Sequence, residues 1–431
     1  MPQLVYPADL GLTPARFREL ALRWAAGHTY CAYYAPAVDF SGPGGPFVQL
    51  LAVGNEACTQ VPSPTLAGLR DWLAQPATAP RCGFLTYDLK NEVEALTSGN
   101  PDKLDWPLLH FFEAQTWLHW RPDGVVELHG PPTTLEFILS GKTGPITATP
   151  VPSLRARLPR ADYLRAVDSI REDILNGEVY ELNLCQEFYS EGVELDPLAT
   201  FLRLLEASPT PFAGFYKLAD HYLICASPER FVQRQGPQLL SQPIKGTIRR
   251  GATDAEDAAL RQQLLHDEKE RAENLMIVDL VRNDLARVSA TGSVQVPELF
   301  GLYGFRHVWQ MISSVASTLL PSADLVDVLC AAFPMGSMTG APKIRAMQLI
   351  EHYERSRRGL YSGSLGYVWP NGDFDFNVVI RSLQYRADTG YLSFQVGSAI
   401  TYDSVPEREY EECLLKAKGL LQVLGTVISE Q

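Results

Sequence analysis

Short segments of alternating apolar and polar residues recur along this chain, most of them ended by glycine, proline or aspartate. In the first part these are residues 47–53, 82–87 and 125–129, the last stopped by Gly130-Pro131-Pro132. Further on, 178–188, 212–216, 221–225, 226–231, 360–368, 374–385 and 391–396 read as strands, with a turn at Pro370-Asn371-Gly372. Between them the spacing turns helical. Tyr163, Leu164, Val167, Ile170 and Ile174 share one face of a helix over 161–176 that Gly177 closes. Helices are also expected over 196–207, from the Thr253–Glu256 capping box onward, through the charged run 266–288, and over 342–354. A last one is capped by Ser404-Val405-Pro406-Glu407. Such a chain mixes helix and sheet throughout.

Its bulk properties exclude several classes. With 431 residues, 46% hydrophobic and 20% charged, it can bury a large core. No apolar stretch approaches the roughly 18 residues of a membrane helix, and Met1-Pro2-Gln3-Leu4 carries no signal-type core. The seven cysteines are scattered without a C-x-x-C pair, which points to free thiols and a cytoplasmic protein. A formal charge of −13 speaks against nucleic acid and anionic membranes, though not against a small anion in a locally positive pocket. His110, His119 and His129 lack metal-ligand spacing and read as structural. The Gly-, Thr- and Pro-rich stretch 141–152 is the best linker.

Four features carry chemistry. After the apolar Leu239-Leu240, Pro243-Ile244-Lys245-Gly246-Thr247 isolates one lysine with no acidic neighbour in sequence. Such a lysine either snorkels or sits desolvated, where its pKa falls and the neutral amine becomes a nucleophile. Two helices each carry an E-x-x-E pair, Glu270/Glu273 and Glu409/Glu412, whose members share a face. Arg381, inside the expected strand 374–385, needs a partner, and a carboxylate suits it. The loop 333–343, containing Gly336, Thr339 and Gly340, lacks the Gly-Lys-Ser/Thr ending of a nucleotide loop but suits a carboxylate at the following helix. Carboxylates from two distant helices are what a hexacoordinate Mg²⁺ takes up.

The order of these elements resembles the chorismate-utilising enzymes, a family that includes anthranilate, aminodeoxychorismate, isochorismate and salicylate synthases. The resemblance covers roughly residues 155 to 425. It rests on Ser227-Pro228-Glu229-Arg230-Phe231, the Pro-Ile-Lys-Gly-Thr stretch, the helix from Asp267 to Val288 and Gly336 to Lys343. Arg358-Gly359-Leu360-Tyr361, Arg381, Gly397-Ser398-Ala399 and Glu409-Tyr410-Glu411-Glu412 complete it. It implies an α+β sandwich of two large, mostly antiparallel, orthogonally packed sheets with helices outside. Residues 1–150 would complete the sandwich and 155–431 form the catalytic domain.

Site roles follow from the same resemblance. Glu273 and Glu412 would be Mg²⁺ ligands, with Glu270 and Glu409 supporting them through water. Gly246, Thr247, Thr339, Tyr361, Arg381, Gly397, Ser398 and Ala399 would hold the carboxylates of chorismate, and Glu229 would be the general acid. Lysine at position 245 marks the aminodeoxychorismate branch; anthranilate synthases have alanine there. Neutral Lys245 would add at C2, and ammonia would then add at C4 and expel the lysine. Gln310 stands where the family usually has histidine, which weakens the anthranilate alternative. Glu181 stands where isochorismate makers have lysine and amine users commonly glutamine. Together these two departures also motivate a catalytically silent chorismate-binding subunit as a rival. With no amidotransferase domain in the chain, a separate glutamine amidotransferase partner is expected to supply ammonia. Related synthases can hold a tryptophan in the N-terminal half.

Overall fold

Along Phe212–Leu218 the side chains of Phe212 and Tyr216 point into one buried apolar cluster, and those of Ala213 and Phe215 into another. That period-two alternation places a sheet between two hydrophobic layers, and it governs the architecture. The computed structural model describes residues 2–38, 40–57, 60–141 and 151–429. Two sheets, of 12 and 9 strands, pack face to face, and the pairings between named strands are antiparallel. Their shared interior is lined by Tyr34, Leu50 and Tyr216 from the larger sheet and by Phe84, Leu365 and Tyr367 from the smaller. A Cβ at Gly214 would lie 2.4 Å from the Leu365 side chain, so close approach of the sheets requires glycine there. Helices cover the outer faces. Pro14–Ala26, Arg160–Leu175, Pro197–Ala207, Lys343–Tyr353 and Pro406–Leu424 pack on the larger sheet. Leu66–Leu73, Glu268–Ala286 and Leu325–Ala332 pack on the smaller one.

The first 130 residues extend both sheets. Tyr30–Ala35 pairs with Phe212–Leu218 in one, and Arg81–Leu85 pairs with Ser364–Val368 in the other. The expected linker falls at 142–150 outside the described residues. Most expected elements are present, among them helices Arg160–Leu175 and Lys343–Tyr353. Several boundaries shift by a few residues, the strand expected over 360–368 beginning at Ser364, and three differences matter more. The last strand runs through Gly397-Ser398-Ala399 to Ile400, because all three pair with the Glu181–Ser190 strand. Ser404 does not cap the final helix; its hydroxyl accepts from the Thr401 N–H, and Val405 is the N-cap.

The third difference positions the site. The expected strand 374–385 is two strands, Phe374–Asn377 in the smaller sheet and Ser382–Arg386 in the larger. Between them the chain crosses from sheet to sheet, and Arg381 takes a left-handed conformation, φ 52°, at the end of the crossing. The stretch 226–231 likewise splits at Pro228-Glu229, between His221–Ser227 and Arg230–Gln235. These crossings run side by side, tied by Val378 N–H to Glu229 O (3.0 Å) and Ala226 N–H to Arg381 O (3.2 Å). No single strand can serve two sheets without leaving its plane, and each of these two leaves it beside a functional candidate.

Candidate active site

Lys245 lies in a strand, Ile244–Arg249, whose register against Val308–Thr318 shifts between Ile244 and Thr247. That bulge re-aims the lysine side chain. Gly246 makes it possible at φ 101°; a Cβ there would lie 3.1 Å from Met311 and 3.3 Å from Glu270 Oε2. Asn274, buried on the Glu268–Ala286 helix, fixes the backbone by donating to the Lys245 carbonyl (3.0 Å), and its own amide oxygen accepts from Ser313 Oγ (2.6 Å).

The Lys245 side chain is only 12% exposed, and its Nζ donates to Glu181 Oε1 at 2.5 Å. This overturns the expectation of a neutral amine. Burial alone would lower its pKa, but Glu181, Glu273 and Glu229 more than offset that, and the net shift is upward. Lys245 rests as an ammonium. Glu181 is 1% exposed, on the first residue of Glu181–Ser190. Its backbone is held by Gly340–Ala341, where Gly340 at φ 142° lies so close that a Cβ would meet Glu181 O at 2.1 Å. Among the described residues only one Glu181 oxygen is satisfied; buried Oε2 has no hydrogen-bond partner there.

Glu229, 4% exposed, points to the same lysine from the sheet crossing. Burial pushes its carboxyl up to about 7, partly opposed by the Ser337 hydroxyl, which donates to Oε1 (2.8 Å), by the Ile244 N–H and by Lys245. A carboxyl poised there can hold a proton near neutrality and release it. Arg381 arrives from the other crossing. Burial lowers its pKa, opposed by Tyr361 and Glu412, and among the described residues its guanidinium makes one hydrogen bond, from Nη1 to the Lys416 carbonyl at 3.4 Å. It forms no ion pair among the described residues. A guanidinium left so underused has donors to spare for an anion.

The four glutamates converge from two helices. Burial, then Glu273 and Asp267, pushes Glu270 up to about 7. Burial also raises Glu273, against the pull of Lys245. Glu412 is lowered on balance because Lys416 outweighs its burial, and Glu409 is 6% exposed. All four carboxylates act electrostatically on Lys269, which forms an ion pair with Glu273 at 3.7 Å, while Lys416 pairs with Glu412 at 2.7 Å. Among the described residues, no group of three or more histidines, cysteines, aspartates or glutamates is already close enough to hold a metal ion.

The remaining candidates differ in how they face this cluster. Tyr361, 5% exposed, lies 4.0 Å from Cys185 Sγ and acts electrostatically on Arg381. A Cβ at Gly397 would lie 2.5 Å from the same sulfur, and the Gly397 carbonyl accepts from Lys416 Nζ (2.6 Å). Ala399 is half-buried in the same strand. Ser398 turns its hydroxyl away, to Tyr163 OH (3.1 Å), because neighbouring residues on a strand face opposite sides. Thr339 spends its hydroxyl on the Met335 carbonyl (3.1 Å), and Thr247 is exposed. Sequence reasoning missed Ser337, Asn274, Lys269 and Lys416. The two lysines carried a legible signal, since each stands i,i+4 to or beside a glutamate of the E-x-x-E pairs. The three histidines are structural as expected: His110 bonds Tyr216 OH (2.7 Å), His129 stacks on Trp117, and His119 lies 3.5 Å from Glu127.

The family described as chorismate binding enzyme matches residues 66–422. This chain belongs to it. Aminodeoxychorismate synthase component 1 of Bacillus subtilis (strain 168) is 37% identical over 363 residues, 79% of this chain and 76% of the relative. Anthranilate synthase component 1 of Thermus thermophilus is 34% identical over 364 residues, with the same coverage of 79% and 76%. Probable aminodeoxychorismate synthase, chloroplastic, of rice, Oryza sativa subsp. japonica, is 44% identical over 266 residues, but this chain spans only 30% of its length. Among solved structures, anthranilate synthase component I from Streptococcus pneumoniae TIGR4 aligns with a TM-score of 0.75 at 28% identity, covering 90% of this chain and 91% of that one. The menaquinone-specific isochorismate synthase MenF of Escherichia coli shares the fold, with a TM-score of 0.76 at 18% identity over 98% and 95% of the two chains. The α+β sandwich is thus a family property, with branch identity left to the site.

Proposed function

We propose that this chain is component I of an aminodeoxychorismate synthase, converting chorismate and ammonia to 4-amino-4-deoxychorismate for 4-aminobenzoate and folate synthesis. The observation that carries the reading is Lys245, 12% exposed and in contact with the buried Glu181 carboxylate. The Lys245 ammonium passes a proton to Glu181 Oε1, and the freed amine forms a bond to ring C2. As the ring double bonds shift, the C4–O bond breaks, and Glu229 donates the proton with which the hydroxyl leaves as water. Ammonia then forms the C4–N bond. The double bonds shift back, the C2–N bond breaks, and Lys245 departs as an amine that recovers its proton from Glu181. The new C4 ammonium returns a proton to Glu229. Arg381, Tyr361 and the backbone at Gly397 would hold the substrate carboxylates.

The donor set of Glu273 and Glu412, backed by Glu270 and Glu409, is all oxygen and all anionic, with Glu270 and Glu273 pushed up by burial and Glu270 further by crowding; it fits a hard dication such as Mg²⁺. When bound, such an ion would supply Lewis-acid pull on a substrate carboxylate and a template for its orientation. Ammonia would come from a glutamine amidotransferase subunit, and residues 1–150 would serve to complete the sandwich. The test is the product formed from chorismate, MgCl₂ and ammonium. We expect a compound in which one ring hydroxyl has become an amine and the enolpyruvyl group is kept. Fluorescent anthranilate instead would overturn the reading in favour of the other branch. Binding of chorismate without turnover at any ammonium concentration would favour a silent subunit.

A further inference from the structure

Two lysines hold the carboxylates that a dication would take. Lys416 Nζ bonds Glu412 Oε1 at 2.7 Å and, in the same position, donates to the Gly397 carbonyl at 2.6 Å. Lys269 lies 3.7 Å from Glu273 and within the field of Glu409, Glu270 and Glu412 as well. Ordinary i,i+4 pairs on a helix surface are weak and readily exchanged. These two differ in where they sit. The Gly397 bond carries Lys416 off its own helix to the strand edge of the site, and Lys269, though 55% exposed, pairs with Glu273 where three further carboxylates also act on it. With Glu412 and Glu273 so engaged, no three acidic groups among the described residues are gathered closely enough for an ion.

Resting on the metal reading above, we propose that Lys269 and Lys416 are tethered counter-cations of this site, and that a divalent cation enters by exchanging for them. The exchange conserves charge: one dication replaces two ammonium groups among the same carboxylates. It also turns Lys416 loose beside Gly397 and Arg381, adding a positive charge for an anionic substrate.

The probe is MgCl₂ alone, followed by titration calorimetry on the full chain. Lys269→Met should bind Mg²⁺ about fivefold more tightly than the wild type, since a competing charge is gone. Unchanged or weaker affinity overturns the exchange, whatever happens to the melting temperature. A second measurement needs no variant. Acylation of lysines by an amine-reactive reagent, read by peptide mass, should rise at Lys416 and Lys269 when MgCl₂ is added and stay level when NaCl of equal ionic strength is added. Equal labelling in the two salts overturns the proposal. If the wild type binds no Mg²⁺ at all, the metal reading falls with it. If the wild type binds but the lysines neither compete nor are released, only the exchange falls.

Discussion

Two buried ion pairs stand near each other in this molecule and differ in how completely they are satisfied. Arg358, 1% exposed, meets Glu354, 6% exposed, at 2.6 Å. Its five N–H donors all find acceptors: Glu354, the Met338 and Asn183 carbonyls and Ser362 Oγ. Glu354 in turn accepts from the Cys185 N–H. Among the described residues the Lys245 ammonium has one hydrogen bond, and its partner Glu181 keeps an unpartnered buried oxygen. A satisfied network fixes structure, here the strand bearing Glu181 against the turn bearing Met338. An unsatisfied pair costs stability and is retained where groups must change partners during a reaction.

Breaking each pair should therefore give opposite results. The largest effect we expect is in Lys245→Met, with amination down by at least about a thousandfold, as loss of a nucleophile demands, and circular dichroism unchanged. Amination at the wild-type rate would sink covalent catalysis. Arg358→Met should instead lose about 3–5 kcal/mol in urea denaturation, because Glu354 is left charged and buried. A loss as small as that of an exposed pair would erase the contrast.

Finer changes sharpen it. Glu229→Gln should slow turnover by about 10²-fold, the typical worth of a general acid. In the wild type, rate should fall as pH rises through about 7, where Glu229 loses its proton, and the variant should lack that limb. The same raised pKa means that stability from Glu229 is full below the ordinary carboxylate range and is lost as pH rises through about 7. A flat wild-type profile there would remove Glu229 as the acid. Glu181→Gln should cost the rate less, about tenfold to a hundredfold, and lower the Lys245 pKa by removing its chief anionic neighbour. Because that pKa is raised, the pair's stability is present below the ordinary lysine range and is lost as pH rises through the raised value. The variant should show a smaller alkaline loss in urea midpoints, and an identical loss in both would show the pair to be inert.

Much of the fold was legible locally. Period-two runs gave most strands within a few residues, and Tyr163, Val167 and Ile170 gave the buried face of their helix. What failed were the sheet crossings. Residues 374–385 contain no Gly or Pro to mark a break, because the crossing at 378–380 is itself apolar and largely buried on the way to Arg381. Among site residues, the E-x-x-E pairs and Glu229 were readable from spacing and family pattern. The charge of Lys245 was not, because its partner lies 64 residues away in the chain.

The sequence by itself determined the residue types: one lysine after a proline, four glutamates in two pairs, and enough alternating apolar residues for two sheets. Tertiary structure alone decided what each charge faces. Protonation is set by distance and dielectric, and folding creates both when it brings Glu181 against Lys245 and buries them together.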